Sequence, residues 1–255
     1  MKKFSFVALL FITGISLTYA AGARGNGNII TIEKNLPPFE RIHMGGRGEI
    51  NYHRSQEYRV FIQIDSNLEE HLDVSVAGSG LRVGPKQGRG LFSPTKFIVD
   101  VYSPGLSGVA MSGSVKFTTV DKISAGDFRL NISGSGKVDG DFECENFSTN
   151  ISGSCSINSN IVCDSFSAGI SGSGDIKLTG RANNLDVTIS GSGNFDGNEF
   201  QTNNAAVNVS GSGYIQLWVM EYLRVRMSGS GGVRYRGDPQ IDFRTSGSGR
   251  LEKYW

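Results

Sequence analysis

The spacing of two of the three cysteines suggests that a disulfide could join them. Cys144 lies 11 residues after Ser133, and Cys163 lies 11 residues after Ser152. Both serines begin a Ser-Gly-Ser motif, so the two cysteines occupy the same position in consecutive repeats. If those repeats are stacked strands, the Cα atoms lie about 4.8–5 Å apart, a distance that a disulfide can span. The spacing predicts either a disulfide or two stacked thiols, and Cys155 has no partner in phase.

The glycine pairs next to these serines are not predicted to bind phosphate. None completes Gly-x-Gly-x-x-Gly, and no helical pattern follows to supply amide groups. The residues at the position of the third glycine are Asp139, Lys177, Asp196, Gln216, Arg234 and Glu252. We expect no nucleotide and no other cofactor.

Carboxylates do not recur as a metal site or an acid–base pair would require. In a calcium-binding solenoid an acidic residue recurs in most repeats, whereas only Asp175 directly follows a Ser-Gly-Ser-Gly motif here. Asp164 and Asp186 fall in neighbouring repeats at different offsets, and residues 105–255 contain no histidine. We therefore predict no metal site, no pair of glycosidase type, and a protein that is not an enzyme.

These residues lie within a sequence repeat that fixes their spacing. Successive motifs begin 18–21 residues apart, and a period near 20 is typical of a solenoid whose coils bury their apolar faces against one another. The complete Ser-Gly-Ser-Gly motif begins at Ser133, Ser171, Ser190, Ser210, Ser228 and Ser246, and shorter forms begin at Ser112 and Ser152.

Each repeat predicts strands and a corner. Leu185, Val187 and Ile189 alternate with polar residues before one motif, which is the period of a half-buried strand, and Ile176 and Leu178 mark a short strand after another. Glycine accepts the positive φ of a tight corner, and a column of serine hydroxyls can hydrogen-bond from coil to coil. The predicted fold is all-β: a parallel β-solenoid of about eight coils over residues 105–255.

Residues 24–104 differ from the repeat and are predicted to cap it. They contain all three histidines and five of the six prolines. Alternating segments at 58–64 and 96–101 predict strands, and Gly45-Gly46-Arg47-Gly48 predicts a turn. An open solenoid end exposes unpaired backbone groups, so we expect an N-terminal β region over the first coil, in one domain with the solenoid. At the other end we expect the terminal residues, with Tyr254 and Trp255, to fold back or to form a short terminal strand over the last coil.

The first residues have the pattern of an export signal. Two lysines precede an apolar run from Phe4 to Leu17, and small residues follow. We predict a signal peptide over residues 1–23 with cleavage after Ala20 or Ala23, no membrane span in the mature chain, and a location in the periplasm, on the outer cell surface or outside the cell. The 25 basic residues balance 24 acidic ones, so we expect no nucleic-acid partner.

Several segments together resemble the bacterial secreted family called "Putative auto-transporter adhesin, head GIN domain". They are Pro-Phe-Glu-Arg-Ile at 38–42, Glu-Tyr-Arg-Val at 57–60, the stretch 99–106 and the Ser-Gly-Ser-Gly coils that follow. The resemblance extends from about Phe39 to Tyr235. It implies a β-helical exported protein of the cell envelope, and it supplies no catalytic residues.

Three functions are compatible with these patterns. The first is a non-enzymatic cell-envelope or surface binding protein, such as an adhesin, because solenoids offer long regular faces to extended partners. Its partner would be an extracellular glycan or an envelope or matrix protein. The second is a structural or assembly component of the envelope. The third, a carbohydrate-active enzyme on a β-helix, is the least favoured, since it needs clustered acids in a groove.

Overall fold

The computed structural model describes residues 23–87 and 93–254, which form β-strands joined by short connections and one short 3₁₀ helix, Ser66–His71. The strands are β1 (Ile29–Asn35), β2 (Arg41–Arg54), β3 (Arg59–Asp65), β4 (Leu72–Ala77), β5 (Gly80–Pro85), β6 (Phe97–Ser103), β7 (Gly108–Thr119), β8 (Ile123–Gly172), β9 (Asp175–Gly191), β10 (Asn194–Gly211), β11 (Tyr214–Gly229), β12 (Gly232–Arg236), β13 (Gln240–Gly247) and β14 (Arg250–Lys253). The long strands each bend through one or more corners.

The predicted parallel β-solenoid is confirmed, with about seven turns. Strands β2, β7, β8, β9, β10 and β11 pair in parallel in that order, and β11 then pairs with both β12 and β13. The pairing aligns the motifs, so that Ser190 lies opposite Ser171 on one side and Ser210 on the other. The repeat in the sequence is therefore one coil of the fold.

The second residue of each motif forms a column of glycines with positive φ. Gly191 has φ +135°, and a Cβ on it would lie 2.6 Å from the carbonyl oxygen of Gly172. Backbone groups also link the coils there, since the N–H of Ser192 donates to the oxygen of Gly172 at 3.0 Å. The stacked members with positive φ are Gly46, Gly113, Gly134, Gly153, Gly172, Gly191, Gly211, Gly229 and Gly247.

Alternating side chains of the two walls fill the interior. Phe128, Phe147 and Phe166 occupy the same position in three coils, with neighbouring ring centroids 5.3 and 5.4 Å apart. Leu185 continues the row and is also buried. Burial of each such side chain contributes about 1.5–3 kcal/mol as an upper estimate.

The N-terminal strands extend both walls of the first coil. Strand β2 is that coil, because Gly46 lies in register with Gly113. The second half of β2 pairs in parallel with β6, which β3 and then β1 continue in antiparallel order. The first half pairs in parallel with β5, which forms an antiparallel hairpin with β4. The segment predicted only as a turn at 45–48 is thus the first corner of the stack.

One buried carboxylate holds these N-terminal strands to the connection before β6. Asp65 accepts hydrogen bonds from the backbone N–H of Gly27 at 2.7 Å, from that of Thr95 at 2.8 Å, and from the Thr95 hydroxyl. Burial raises the pKa of Asp65, but these hydrogen bonds outweigh it, so that the pKa lies below its ordinary value. The charged carboxylate is therefore the form that the fold favours.

The last coil is only partly covered by the residues that follow it. Strand β14 pairs with β12, and the N–H of Tyr254 donates to the oxygen of Tyr235 at 2.9 Å. The ring of Tyr254 lies against the side of the coil, 5.2 Å from the guanidinium of Arg234. The expected short terminal strand is therefore present, while Ile241 and Phe243 remain 41% and 37% exposed. Trp255 lies outside the described residues.

The predicted signal peptide lies outside the described residues, apart from Ala23, and cleavage after Ala20 or Ala23 stays a prediction. Within 23–87 and 93–254, no helix is long and apolar enough to cross a membrane.

Candidate functional site

A long groove runs along the stack beside the glycine corners. One part, of about 460 Å³, extends from His43 to Ser190, and the next, of about 420 Å³, extends from Thr188 to Ser246. The two parts share Thr188. We call this feature the serine groove, because the first serine of each motif lines it.

The serine hydroxyls of this groove are free. In the described part of the chain, no side-chain hydrogen bond joins the first serines of successive motifs, so the serine-to-serine bonds expected from the sequence are absent. A hydroxyl is too short to reach its counterpart across about 4.8 Å between strands. These serines are Ser112, Ser133, Ser152, Ser171, Ser190, Ser210, Ser228 and Ser246, and all except the half-buried Ser112 are exposed.

Longer polar side chains form the bonds between coils that the serines do not. Two residues before the motif, the Nδ2 of Asn150 donates to the Oδ1 of Asn131 at 3.3 Å. Four residues earlier in the chain, Asn146 donates to Asp127 at 2.8 Å. Asn131, Asn146 and Asn150 are thus outward-facing members of ladders that join residues 19 positions apart.

The centre of the groove is uncharged. Ile132, Ile151 and Ile170 border the first part and Val209 and Met227 the second, but their side chains are buried in the core, so the exposed side chains of the groove are the outward ones on either side of them. The outward residues two positions before each motif form the opposite rim: His43, Ala110, Asn131, Asn150, Gly169, Thr188, Asn208, Arg226 and Arg244. The central coils therefore present hydroxyl, amide and methyl groups, and charge enters only near the ends.

The C-terminal part of the groove is basic. Asp242 faces three arginines: Arg226 at 2.6 Å, Arg224 at 3.5 Å and Arg244 at 3.8 Å. The hydrogen bond from Arg226 lowers the pKa of Asp242, and the positive charges of all three arginines add to this effect against partial desolvation. One carboxylate cannot neutralise three guanidinium groups, so this part of the rim attracts anions.

The structure brings Cys144 and Cys163 together, at the bend opposite the glycine corners. Both are half-buried free thiols joined by a hydrogen bond. That bond lowers the pKa of Cys144 and, together with burial, raises the pKa of Cys163. Cys155 lies apart in the corner column, where burial raises its pKa to about 12. Oxidation of the first pair stays a prediction.

The other candidates from the sequence do not converge. Asp164 accepts from the amide of Asn183 at the bend, whereas Asp186 lies on the wall before the corner in register with Ser167. Tyr214 is 61% exposed on the other wall. Within the described residues, no group of three or more His, Cys, Asp or Glu side chains is placed to hold a metal ion. The polar groups that recur on one concave surface in successive coils are those of the serine groove.

Known proteins share this architecture. A "Putative lipid binding protein" from Parabacteroides distasonis is 27% identical, with a TM-score of 0.88 over 92% of this chain and 100% of that one. A "putative adhesin" from Parabacteroides merdae is 24% identical, with a TM-score of 0.85 over 92% of this chain and 99% of that one, which shows the fold alone. None of the curated proteins matches this chain.

The family assignment rests on most of the solenoid. The model of the family "Putative auto-transporter adhesin, head GIN domain" matches residues 38–160 and again residues 143–239. The two matched ranges contain the corner column from Gly46 to Gly229 and nearly all of the serine groove. The resemblance found in the sequence is thereby confirmed, and the chain belongs to this family.

Proposed function

We propose that this protein is a non-enzymatic, exported surface-binding protein that holds an extended glycan in the serine groove. The observation that carries the proposal is the row of serine hydroxyls, exposed in every coil except at Ser112, that have no side-chain hydrogen-bond partner among the described residues. Membership of a family named for adhesins supports a surface role, and the signal pattern at residues 1–23 supports export.

The repeat of the groove favours a polymer over a small molecule. The same hydroxyl recurs from Ser112 to Ser246 at about 4.8 Å per coil, so a ligand with regularly spaced polar groups makes the same contact many times. Serine and asparagine side chains both donate and accept hydrogen bonds, as a hydroxyl-rich saccharide requires.

The absence of paired acids in the groove favours binding without turnover. The central rim carries Asn131, Asn150 and Thr188, none of which titrates near neutral pH. A glycosidase places two carboxyl groups across the scissile bond, and the lining of the groove offers no such pair among the described residues. An envelope role without a soluble ligand is the alternative that a negative binding experiment would favour.

Lipid binding is a second candidate. The relative that is 27% identical is named for lipid binding, and among the described residues the groove from Ala110 to Ser190 carries no charged side chain that an acyl chain would have to cover. In this case the free serine hydroxyls would face the solvent or a headgroup.

A variant that fills the groove tests both candidates. Gly169 is half-buried on the rim with ordinary strand backbone, and a Cβ there meets only the Asn150 side-chain oxygen, at 3.0 Å. Gly169→Phe should therefore fold and block the groove. Asn158→Phe, at an exposed position of the wall after the corner, is the matched control.

The experiment is a glycan and matrix-protein array with the mature chain, followed by titration of each ligand found. We expect Gly169→Phe to weaken glycan binding at least about tenfold, because a filled groove excludes the chain, while Asn158→Phe binds like the wild type. Equal binding by the two variants would place the ligand elsewhere. If the wild type bound phospholipid vesicles and not glycans, and Gly169→Phe lost this binding, the result would favour the lipid candidate.

A further inference from the structure

We propose a second binding site, for a chain of acidic sugars, on the wall that follows the corner. It is a cavity of about 860 Å³ whose lining includes Arg47, Lys96, Lys116 and Lys137, with Glu49 as its single acidic side chain. We call it the basic cavity. It lies across the glycine corners from the serine groove, so its occupation does not depend on the function proposed above.

Three coils and one overhanging segment build the basic cavity. Arg47 and Glu49 come from β2, Lys116 from β7 and Lys137 from β8, on adjacent parallel strands. The segment 94–98 forms the fourth side and contributes Lys96. The positive charges thus converge only because the connection before β6 returns to the start of the stack.

The positive charges of the cavity are only partly neutralised within the protein, since Glu49, opposite Lys116 in β2, is one acid among four basic side chains of the lining. Lys116 and Lys137 lie directly opposite each other in neighbouring strands, an arrangement of like charges that destabilises a sheet. Lys137 has a partner in Asp139 at 3.1 Å, but Arg47, Lys96 and Lys116 form no ion pair in the described part of the chain. A site that retains this repulsion is suited to an anion from outside.

The extent of the cavity favours a ligand with several anionic groups. Three consecutive strands span about 10 Å, so one phosphate or sulfate cannot contact all four basic side chains. Ser114 and Ser135 line the same cavity and offer hydroxyls to sugar oxygens. Among the described residues no exposed aromatic side chain lines it, whereas single-stranded nucleic acids are held by stacking on such rings. Carboxylated or sulfated saccharides fit these groups best.

The test compares two double variants that remove the same charge. Lys116→Gln with Lys137→Gln removes the facing pair and relieves its repulsion, so the variant should remain folded. Lys177→Gln with Arg181→Gln removes two exposed charges farther along the stack. Titration with polygalacturonate and with heparin, using dextran as the uncharged polymer, should show about tenfold weaker binding for the first variant and less than about twofold for the second.

An expected increase in affinity gives a further test, because a variant that fails to fold would bind more weakly and not more tightly. Glu49→Gln removes the acid that faces the cavity and should tighten binding of both polyanions about twofold. Raising the salt from 0.05 to 0.5 M should weaken binding of the wild type, because exposed charges are screened.

Several outcomes would overturn the proposal. Equal losses in the two double variants would show a dependence on net charge alone. Failure of the wild type to bind either polyanion, or binding to phosphatidylglycerol vesicles or to single-stranded DNA in their place, would exclude an acidic saccharide. If Gly169→Phe lost the array ligand but bound polygalacturonate normally, the two sites would be independent, as we infer.

Discussion

The glycine column and the N-terminal strands hold neighbouring segments together in opposite ways. In the column, the same close backbone approach recurs from Gly46 to Gly247, and no side chain takes part. Around Asp65, one side chain gathers backbone groups from Gly27 and Thr95 in a contact that occurs once. The glycine column repeats its contact many times, but each contact leaves no room for an added atom. The contacts around Asp65 depend on a single charged side chain.

The largest effect is expected where the column is disturbed. Gly191→Ala places a methyl 2.6 Å from the Gly172 oxygen at φ +135°, so the coils must separate. We expect a loss of about 4 kcal/mol from backbone strain and overpacking, measured as a shift of the urea midpoint. Gly126→Ala, where a Cβ meets open space, should change stability by less than about 0.5 kcal/mol. Similar midpoints for the two variants would contradict the importance of the column.

The next effect is expected at the buried carboxylate. In Asp65→Asn the amide nitrogen must face an N–H of Gly27 or Thr95 in either orientation, so one hydrogen bond becomes a donor–donor contact. We expect a loss of about 3 kcal/mol, with hydrogen exchange increased in β1 and β3 and not in the central coils. Asp186→Asn, on an exposed wall position, is the control. Uniform loss of hydrogen-exchange protection along the chain would show that the N-terminal strands and the coils open together.

The pH dependence follows from the same group. Because the pKa of Asp65 is lowered in the folded state, its contribution is fully present above the unfolded value and disappears as the pH falls through the folded value. The difference in urea midpoint between wild type and Asp65→Asn should be constant from about pH 5 to 7 and shrink below about pH 4. A constant difference down to pH 2 would rule out this carboxylate as the source.

A covalent link at the opposite bend should add to the stability of the column. Mild oxidation is expected to join Cys144 to Cys163 and to stabilise the fold by about 2 kcal/mol, since the bond closes a loop of about 20 residues. Peptide mass mapping identifies the link, and unfolding with and without reductant measures its effect. Cys163→Ser should abolish both. An oxidised wild type with an unchanged midpoint would mean that the stack already restrains this segment.

The smallest effect is expected in the amide ladders. Asn183→Ala removes two rungs, the bond that Asn183 donates to Asp164 and the long one that it accepts from Asn203, on an exposed surface where water replaces them. The expected loss is about 0.5 kcal/mol, and Asn158→Ala, which has no partner in the described residues, should cost less. A loss above 2 kcal/mol would show that single rungs matter as much as the glycine contacts.

Much of the fold could be predicted because each coil of the solenoid repeats the same pattern of residues in the sequence. The alternation at Leu185, Val187 and Ile189 sets one wall, and the glycine of each motif sets the corner. The stacking of Cys144 on Cys163 follows from the same counting. The corner at Gly46 was missed because serine is replaced by Gly45 there and 67 positions separate it from Gly113.

The candidate sites could be predicted less well. The serine column was visible, but whether its hydroxyls bond one another depends on the spacing of the strands against the length of the side chain. The basic cavity was invisible, since Lys96 approaches Lys116 and Lys137 only through the path of the connection before β6. Asp65 was likewise one acid among 24 in the sequence.

The sequence by itself therefore determined the repeating part of this protein: the class of fold, the register of the coils and the positions of the corners. The tertiary structure alone decided the contacts that occur once, which are the joining of β2 to β7, the partners of Asp65 and the basic cavity. The physical reason is that a periodic contact constrains every repeat and leaves a periodic pattern. A contact between distant segments constrains a few residues once and leaves no pattern to count.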